Sequence, residues 1–144
     1  MKNARVWIVI AIILVTFAAY FSSLKNGFVN WDDDYYVTHN PAIQRLSPGT
    51  VKEMFSSFFV GNYHPLTMLS YAVEYRFFND HPFGYHLDNL ILHLLNVVLA
   101  FWLIFRLTGG NAAVAAFSAA LFGVHPLHVE SVAWISERKD VLYA

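Results

Sequence analysis

No charged residue interrupts the chain from Val6 to Leu24. At 1.5 Å per residue, a helix over that run is long enough to cross a hydrocarbon core about 30 Å thick. Only helices and closed barrels satisfy their backbone groups in lipid, so the run commits the leading part of the chain to a membrane helix. Lys2 and Arg5 precede it and put its amino end on the cytoplasmic side. A cleavable signal peptide is the competing reading, with Thr16-Phe17-Ala18 as a weak cleavage match, but the apolar run continues past that point.

Composition agrees with a membrane protein: 57% of the residues are hydrophobic, 13% are charged, and the mean hydropathy is +0.44. A net charge of -1 argues against a nucleic-acid partner, which needs a basic face. The chain has no cysteine, which excludes disulfides and thiolate metal sites.

Residues 25–86 read as a long outer loop. Asn40-Pro41 and Ser47-Pro48-Gly49 mark turns within it. Two short surface helices are predicted in this loop, over Pro48 to Phe59 and Pro65 to Phe78. The second carries Leu66, Leu69, Val73 and Phe77 at helical spacing, as an interfacial helix does. Leu87 to Phe105 reads as a span running back inward, closed by Arg106 and the turn Thr108-Gly109-Gly110-Asn111. A third span is predicted over 112–125. Its stripes Ala112, Ala116, Ala120 and Ala115, Ala119, Gly123 let neighbouring helix backbones approach closely. Pro126 bends or ends it and delivers His125 to Asp140 to the face that holds Asp32. The closing residues, Asp140 to Ala144, open a fourth apolar run, so an amino-terminal piece of a longer membrane protein is expected.

Three constellations carry polar chemistry. His86, Asn89, His93 and Asn96 lie in a narrow arc of the second span, facing either partner helices or a wet site. Asp32-Asp33-Asp34 follows the first span; it is a solvated loop, a DxD-type metal site, or the source of a general base. A carboxylate of reference pKa about 4 is a poor base for an alcohol. It therefore needs a good leaving group, such as a lipid phosphate, to depart in the same step. Third, His125, His128 and Glu130 precede Glu137-Arg138-Lys139-Asp140. Spacings of three and two keep His128 and Glu130 off one helix face, so no metal ligand is assigned and a divalent metal stays an open cofactor. Arg138 and Lys139 are either phosphate-binding cations or partners of Glu137 and Asp140.

In order along the chain come Phe28 to Pro41 with the acidic pair, His64-Pro65-Leu66-Thr67, Gly84-Tyr85-His86-Leu87 through His93, and His125-Pro126-Leu127-His128-Val129-Glu130 with Arg138 and Asp140. This ordered set resembles the amino-terminal membrane part of the transmembrane and tetratricopeptide-repeat proteins, relatives of the protein O-mannosyltransferases in the GT-C class. The resemblance implies an all-α, polytopic membrane enzyme with a sugar donor on a polyprenyl or dolichyl phosphate. It also implies inverting transfer to a hydroxyl of a protein or glycan acceptor on the extracytoplasmic face, and a repeat domain downstream. Asp32 and Asp33 match the acidic pair, with Asp32 as the base; Asp34 falls where the family often has an apolar residue. Trp31 and the Glu-Arg-Lys run look like the bacterial branch, hence the bacterial inner membrane, or the endoplasmic reticulum in a eukaryote. The candidate site is therefore Asp32 and Asp33 for catalysis, with Glu130, Arg138, His64, His93, His125 and His128 for substrate binding. A non-catalytic membrane scaffold and a transporter are the rival classes.

Overall fold

The structure, a computed structural model, describes residues 2–144 and is all-helical over them. Helix α1 (Lys2–Tyr20) continues as a 3-10 turn (Phe21–Lys25). After a π turn (Asp34–Thr38) the segment before the next long helix holds α2 (Pro41–Gln44), α3 (Pro48–Met54) and α4 (Pro65–Phe78). Helix α5 (Pro82–Leu107) returns, and α6 (Ala112–Val124) packs on both α1 and α5. The remaining chain folds as α7 (Val129–Ala133) and α8 (Arg138–Leu142), with 3-10 turns at Pro126–His128 and Ile135–Glu137.

Local chemistry explains the boundaries. Helices α2 to α5 each begin with proline, whose fixed φ suits the first turn and whose missing N–H is no loss there. The Asn40 side chain caps α2, Ser47 and Thr50 form a capping box on α3, and Asn111 accepts from Ala113 and Val114 at the head of α6. Gly109 and Gly110 take positive φ (63° and 95°), and the Gly110 amide reaches back 2.8 Å to the Phe105 carbonyl, ending α5.

Two helices are long and apolar enough to cross a membrane, Asn3–Lys25 and Pro82–Leu107. The Arg5 guanidinium lies 5.0 Å from the Phe105 ring, so the start of α1 and the end of α5 share one end of an antiparallel pair. The expected third span is divided: α6 alone is shorter than a crossing requires, and only with the bent segment Pro126–Ala133 is it long and apolar enough. With 13 residues α6 rises about 20 Å, and it meets Pro126–Ala133 at a 47° bend, because Pro126 cannot continue the ladder. The small-residue stripe does what its chemistry allows: Ala115, Ala119 and Gly123 are buried, while Val114, Phe117 and Leu121 point outward. A Cβ built at Gly123 would lie 2.4 Å from the Thr16 Oγ1 and 3.2 Å from Val97, so three helices cross there at glycine distance.

In the segment between α1 and α5, α4 has the predicted bounds, whereas the helix expected over 48–59 stops at Met54. Phe59 instead pairs with Asn62 in a tight turn with positive φ at Val60 and Gly61. Helix α4 turns most of its apolar stripe outward: Leu66, Val73 and Phe77 are exposed, Leu69 packs half-buried against the core, and Thr67, Met68, Tyr71 and Glu74 are buried. That orientation suits a helix at a lipid interface, where the solvent-like face is apolar.

Candidate site where the α1–α5 connection meets the carboxyl-terminal segment

The site begins with one carboxylate. Asp33 is buried, and its Oδ1 accepts from the Ser136 amide at 3.0 Å and from the Ser136 hydroxyl in a shorter contact. Its Oδ2 accepts from the Val29 amide at 2.8 Å, fixing the loop before the π turn. Two sequence-distant segments are thus clasped at one acid. Asp32, next in the chain, is half-buried, and its carboxylate takes no hydrogen bond among the described residues. Asp34 is occupied locally by the Thr38 hydroxyl at 2.9 Å and by His39. The acidic triplet therefore divides into a clamp, a carboxylate without a partner and a turn-stabilising residue.

Arg138 is the second hub, and it corrects an expectation. The side chain is fully buried. Its Nε donates to Asn89 Oδ1 at 2.7 Å, one terminal nitrogen to Ser70 at 3.1 Å and closely to Glu74, the other to the Tyr85 carbonyl at 2.9 Å. The guanidinium also lies 4.5 Å from the Tyr71 ring centroid. With its planar fork spent on α4 and α5, Arg138 locks helices together and presents no face to a phosphate. Burial pushes the Glu74 carboxyl up, with the Arg138 guanidinium opposing. Lys139, the other expected cation, pairs with Glu137 at 2.5 Å.

The polar stripe of α5 serves the same joint. Asn89 donates to the Trp134 carbonyl at 3.0 Å, Asn96 to the Val141 carbonyl at 2.6 Å, and the His93 Nε2 lies 3.0 Å from the Gly123 carbonyl. The two asparagines bridge α5 to the chain that follows α6, and His93 bridges α5 to the end of α6 itself.

The expected substrate-binding histidines do not form one group. His93 and His128 pack ring to ring at 5.4 Å beside Phe122, and His125 is 6.2 Å from His128. These three gather about the carboxyl end of α6. His64 belongs to the other group: it is 5% exposed, and its ring centroid is 5.2 Å from that of Tyr36, three residues past Asp33. Neither of its ring nitrogens has a hydrogen-bond partner among the described residues. Burial, with Lys139 adding to it, pushes this imidazole below its usual range. Glu130 is exposed on α7, away from the clasp's hydrogen bonds. No group of three or more His, Asp or Glu positioned to hold a metal occurs among the described residues.

Sequence reasoning missed Ser136, Glu74 and Ser70. Ser136 carried no signal, being one serine in an irregular segment. Glu74 carried one: it is the single acid of α4, four residues past Ser70, and a carboxylate drawn into a buried face needs a partner.

An all-helical chain with two candidate membrane spans, in which a loop acid clasps the carboxyl-terminal segment, defines a helical membrane domain. The chain is similar to Protein O-mannosyl-transferase TMTC1 of Mus musculus, at 33% identity over 135 residues, which is 85% of this chain and 14% of that protein. It is similar to TMTC3 of Homo sapiens at 30% identity, covering 99% of this chain and 16% of the relative, and to TMTC4 of Mus musculus at 27%. The chain thus spans between 14% and 21% of the length of these curated relatives. No family model and no solved structure matches it.

Proposed function

We propose that this chain supplies the base-bearing part of a membrane glycosyltransferase of the GT-C type, one that moves a sugar from a polyprenyl or dolichyl phosphate to a hydroxyl. The relatives named above are O-mannosyl-transferases, and in this reading the acceptor is a protein Ser or Thr. The observation that carries it is the division of labour in the acidic pair: Asp33 is saturated by Ser136 and Val29, while Asp32 beside it keeps its carboxylate without a partner.

As the acceptor oxygen bonds to the anomeric carbon, Asp32 takes the hydroxyl proton. The bond from that carbon to the phosphate oxygen breaks, and the lipid phosphate leaves with the electron pair. Departure of that stable anion lets so weak a base suffice. The reading puts residues 25–86 on the extracytoplasmic side, with α6 and its bent continuation counted as a third span and the bacterial inner membrane as host. Lys2, Arg5 and Arg106 at the opposite end support the orientation.

A non-catalytic scaffold is the second reading, favoured by the internal satisfaction of Asn89, Asn96 and Arg138. One experiment separates the two. In the full-length protein, glycan transfer from a lipid-phosphate donor is measured for Asp32→Asn and Asp33→Asn at matched expression. Loss in Asp32→Asn supports transfer, unchanged activity in both variants removes it, and vesicle accumulation of substrate without glycosyl product indicates a transporter. A reporter after Asn62 on the outside and one after Gly110 on the inside complete the topology test.

A further inference from the structure

We propose that the turn over 55–63 is a membrane anchor, with Phe58 and Val60 seated in the lipid leaflet that adjoins the α1–α5 connection. Phe58 is 75% exposed and Val60 51%, and Phe55 and Tyr63 are exposed beside them. Such an anchor serves a transferase and a scaffold alike, so it stands apart from the transfer reading.

The backbone of Val60 has a cost that water does not explain. Both central residues of the Phe59–Asn62 turn have positive φ, 47° at Val60 and 77° at Gly61. Such a turn favours Asn-Gly, because a β-branched side chain is strained there. Val60 thus combines backbone strain with an exposed isopropyl group, and an apolar contact offsets the second. The turn is nevertheless rigidly mounted. Phe59 and Asn62 exchange amide-to-carbonyl hydrogen bonds at 2.8 and 2.9 Å, and the Phe59 ring packs 5.5 Å from that of Tyr36. The Tyr63 hydroxyl donates to the Phe55 carbonyl at 3.0 Å, and the Tyr63 and Phe58 rings lie 5.8 Å apart. Polar groups around the tip are spent locally. Ser56 and Ser57 donate to the Lys52 and Glu53 carbonyls at 2.8 and 2.6 Å, and the Asn62 side-chain amide donates to the Val60 carbonyl at 3.3 Å. What the tip displays is apolar.

A lipid leaflet is the occupant that the surroundings favour. The turn belongs to a segment flanked by two helices long and apolar enough to cross a membrane, Asn3–Lys25 and Pro82–Leu107. Leu66, the first exposed apolar residue of α4, is three residues past Tyr63. At most about 11 Å of chain therefore separates the turn from the apolar side of α4, which suits the same interface. Arg45 and Lys52 are exposed just before the turn, and Glu53 is the one acid over 45–63. That surplus of positive charge complements anionic headgroups, and aromatic rings flanked by cations are what the headgroup boundary selects.

The test uses the full-length protein in vesicles of phosphatidylcholine and phosphatidylglycerol. Nitroxide labels are placed singly at Phe58→Cys, Val60→Cys and, as the reference in water, Glu53→Cys. Residues 1–144 hold no cysteine, and those elsewhere in the full-length protein are replaced by serine. All three positions are exposed, so the labels leave the core intact. Power saturation compares access by oxygen, which concentrates in hydrocarbon, with access by a polar nickel chelate, which hydrocarbon excludes. The oxygen-to-nickel ratio at 58 and at 60 should exceed that at 53 by about tenfold or more. A smaller difference at either position places the turn outside the leaflet and overturns the proposal. A label shielded from both reagents marks a protein partner and overturns it as well. Loss of Asp32-dependent transfer leaves the anchor standing, and a Phe58 label in water leaves the transfer reading standing.

Discussion

The Asp33 carboxylate and the Ser136 amide, 103 residues apart in the chain, meet at 3.0 Å in the buried seam between the α1–α5 connection and the carboxyl-terminal segment. Because Asp33 also takes the Ser136 hydroxyl and the Val29 amide, it stabilises the fold that displays Asp32. Stability and activity should therefore separate between the two acids.

Asp33→Asn keeps one acceptor oxygen and turns an N–H₂ toward a donor. At least one buried donor then loses its partner, at a cost of about 1–3 kcal/mol. Asp32→Asn should change stability by no more than about 0.5 kcal/mol, since no hydrogen bond is lost. Thermal unfolding in detergent, compared with transfer activity, checks both. Equal melting temperatures for the two variants would contradict the clamp.

Arg138→Met removes one member of a buried ion pair and should cost about 3–5 kcal/mol, with loss of folded protein in the membrane. Arg138→Lys should be nearly as harmful. A single ammonium cannot serve Asn89, Ser70, Glu74 and the Tyr85 carbonyl from one centre. Adding Glu74→Leu to Arg138→Met should recover part of the loss, read as the coupling energy of a double-mutant cycle.

Gly123→Ala should destabilise by about 1–3 kcal/mol, because its Cβ would meet the Thr16 Oγ1 at 2.4 Å. The Thr16→Ala change removes that oxygen and should restore much of the stability in the double variant. Failure of this rescue would locate the strain at Val97 instead.

His64 makes stability depend on pH. The unfolded chain binds the proton at about pH 6.5, and the folded ring resists it. Below about 6.5 the unfolded state therefore carries more protons, so stability is full above that value and falls as the pH drops through it. In unfolding at pH 5 and pH 7.5, His64→Gln should lose part of the wild-type pH dependence. An unchanged difference would show that this ring does not titrate in the window.

Much of this architecture was legible from one dimension. An apolar run's length determines whether it can cross lipid, prolines and Asx residues determine where α2 to α6 start, and the Ala-Ala-Gly stripe determines which face of α6 is buried. These are local properties, settled by backbone geometry and side-chain size. Arg138, His93 and α4 show where such reasoning stops. The letters of Arg138 are the same for a phosphate clamp and for a buried joint, and only the arrival of Glu74, Asn89 and the Tyr85 carbonyl chose the second. The apolar stripe of α4 is consistent with either orientation until Tyr71 and Glu74 are drawn inward by the Ile135 carbonyl and Arg138. So the chain alone determined that it spans, where its helices begin and which polar types it carries. Which polar groups are consumed by packing was decided in the tertiary structure, because a side chain's free donors depend on neighbours that sequence distance does not encode.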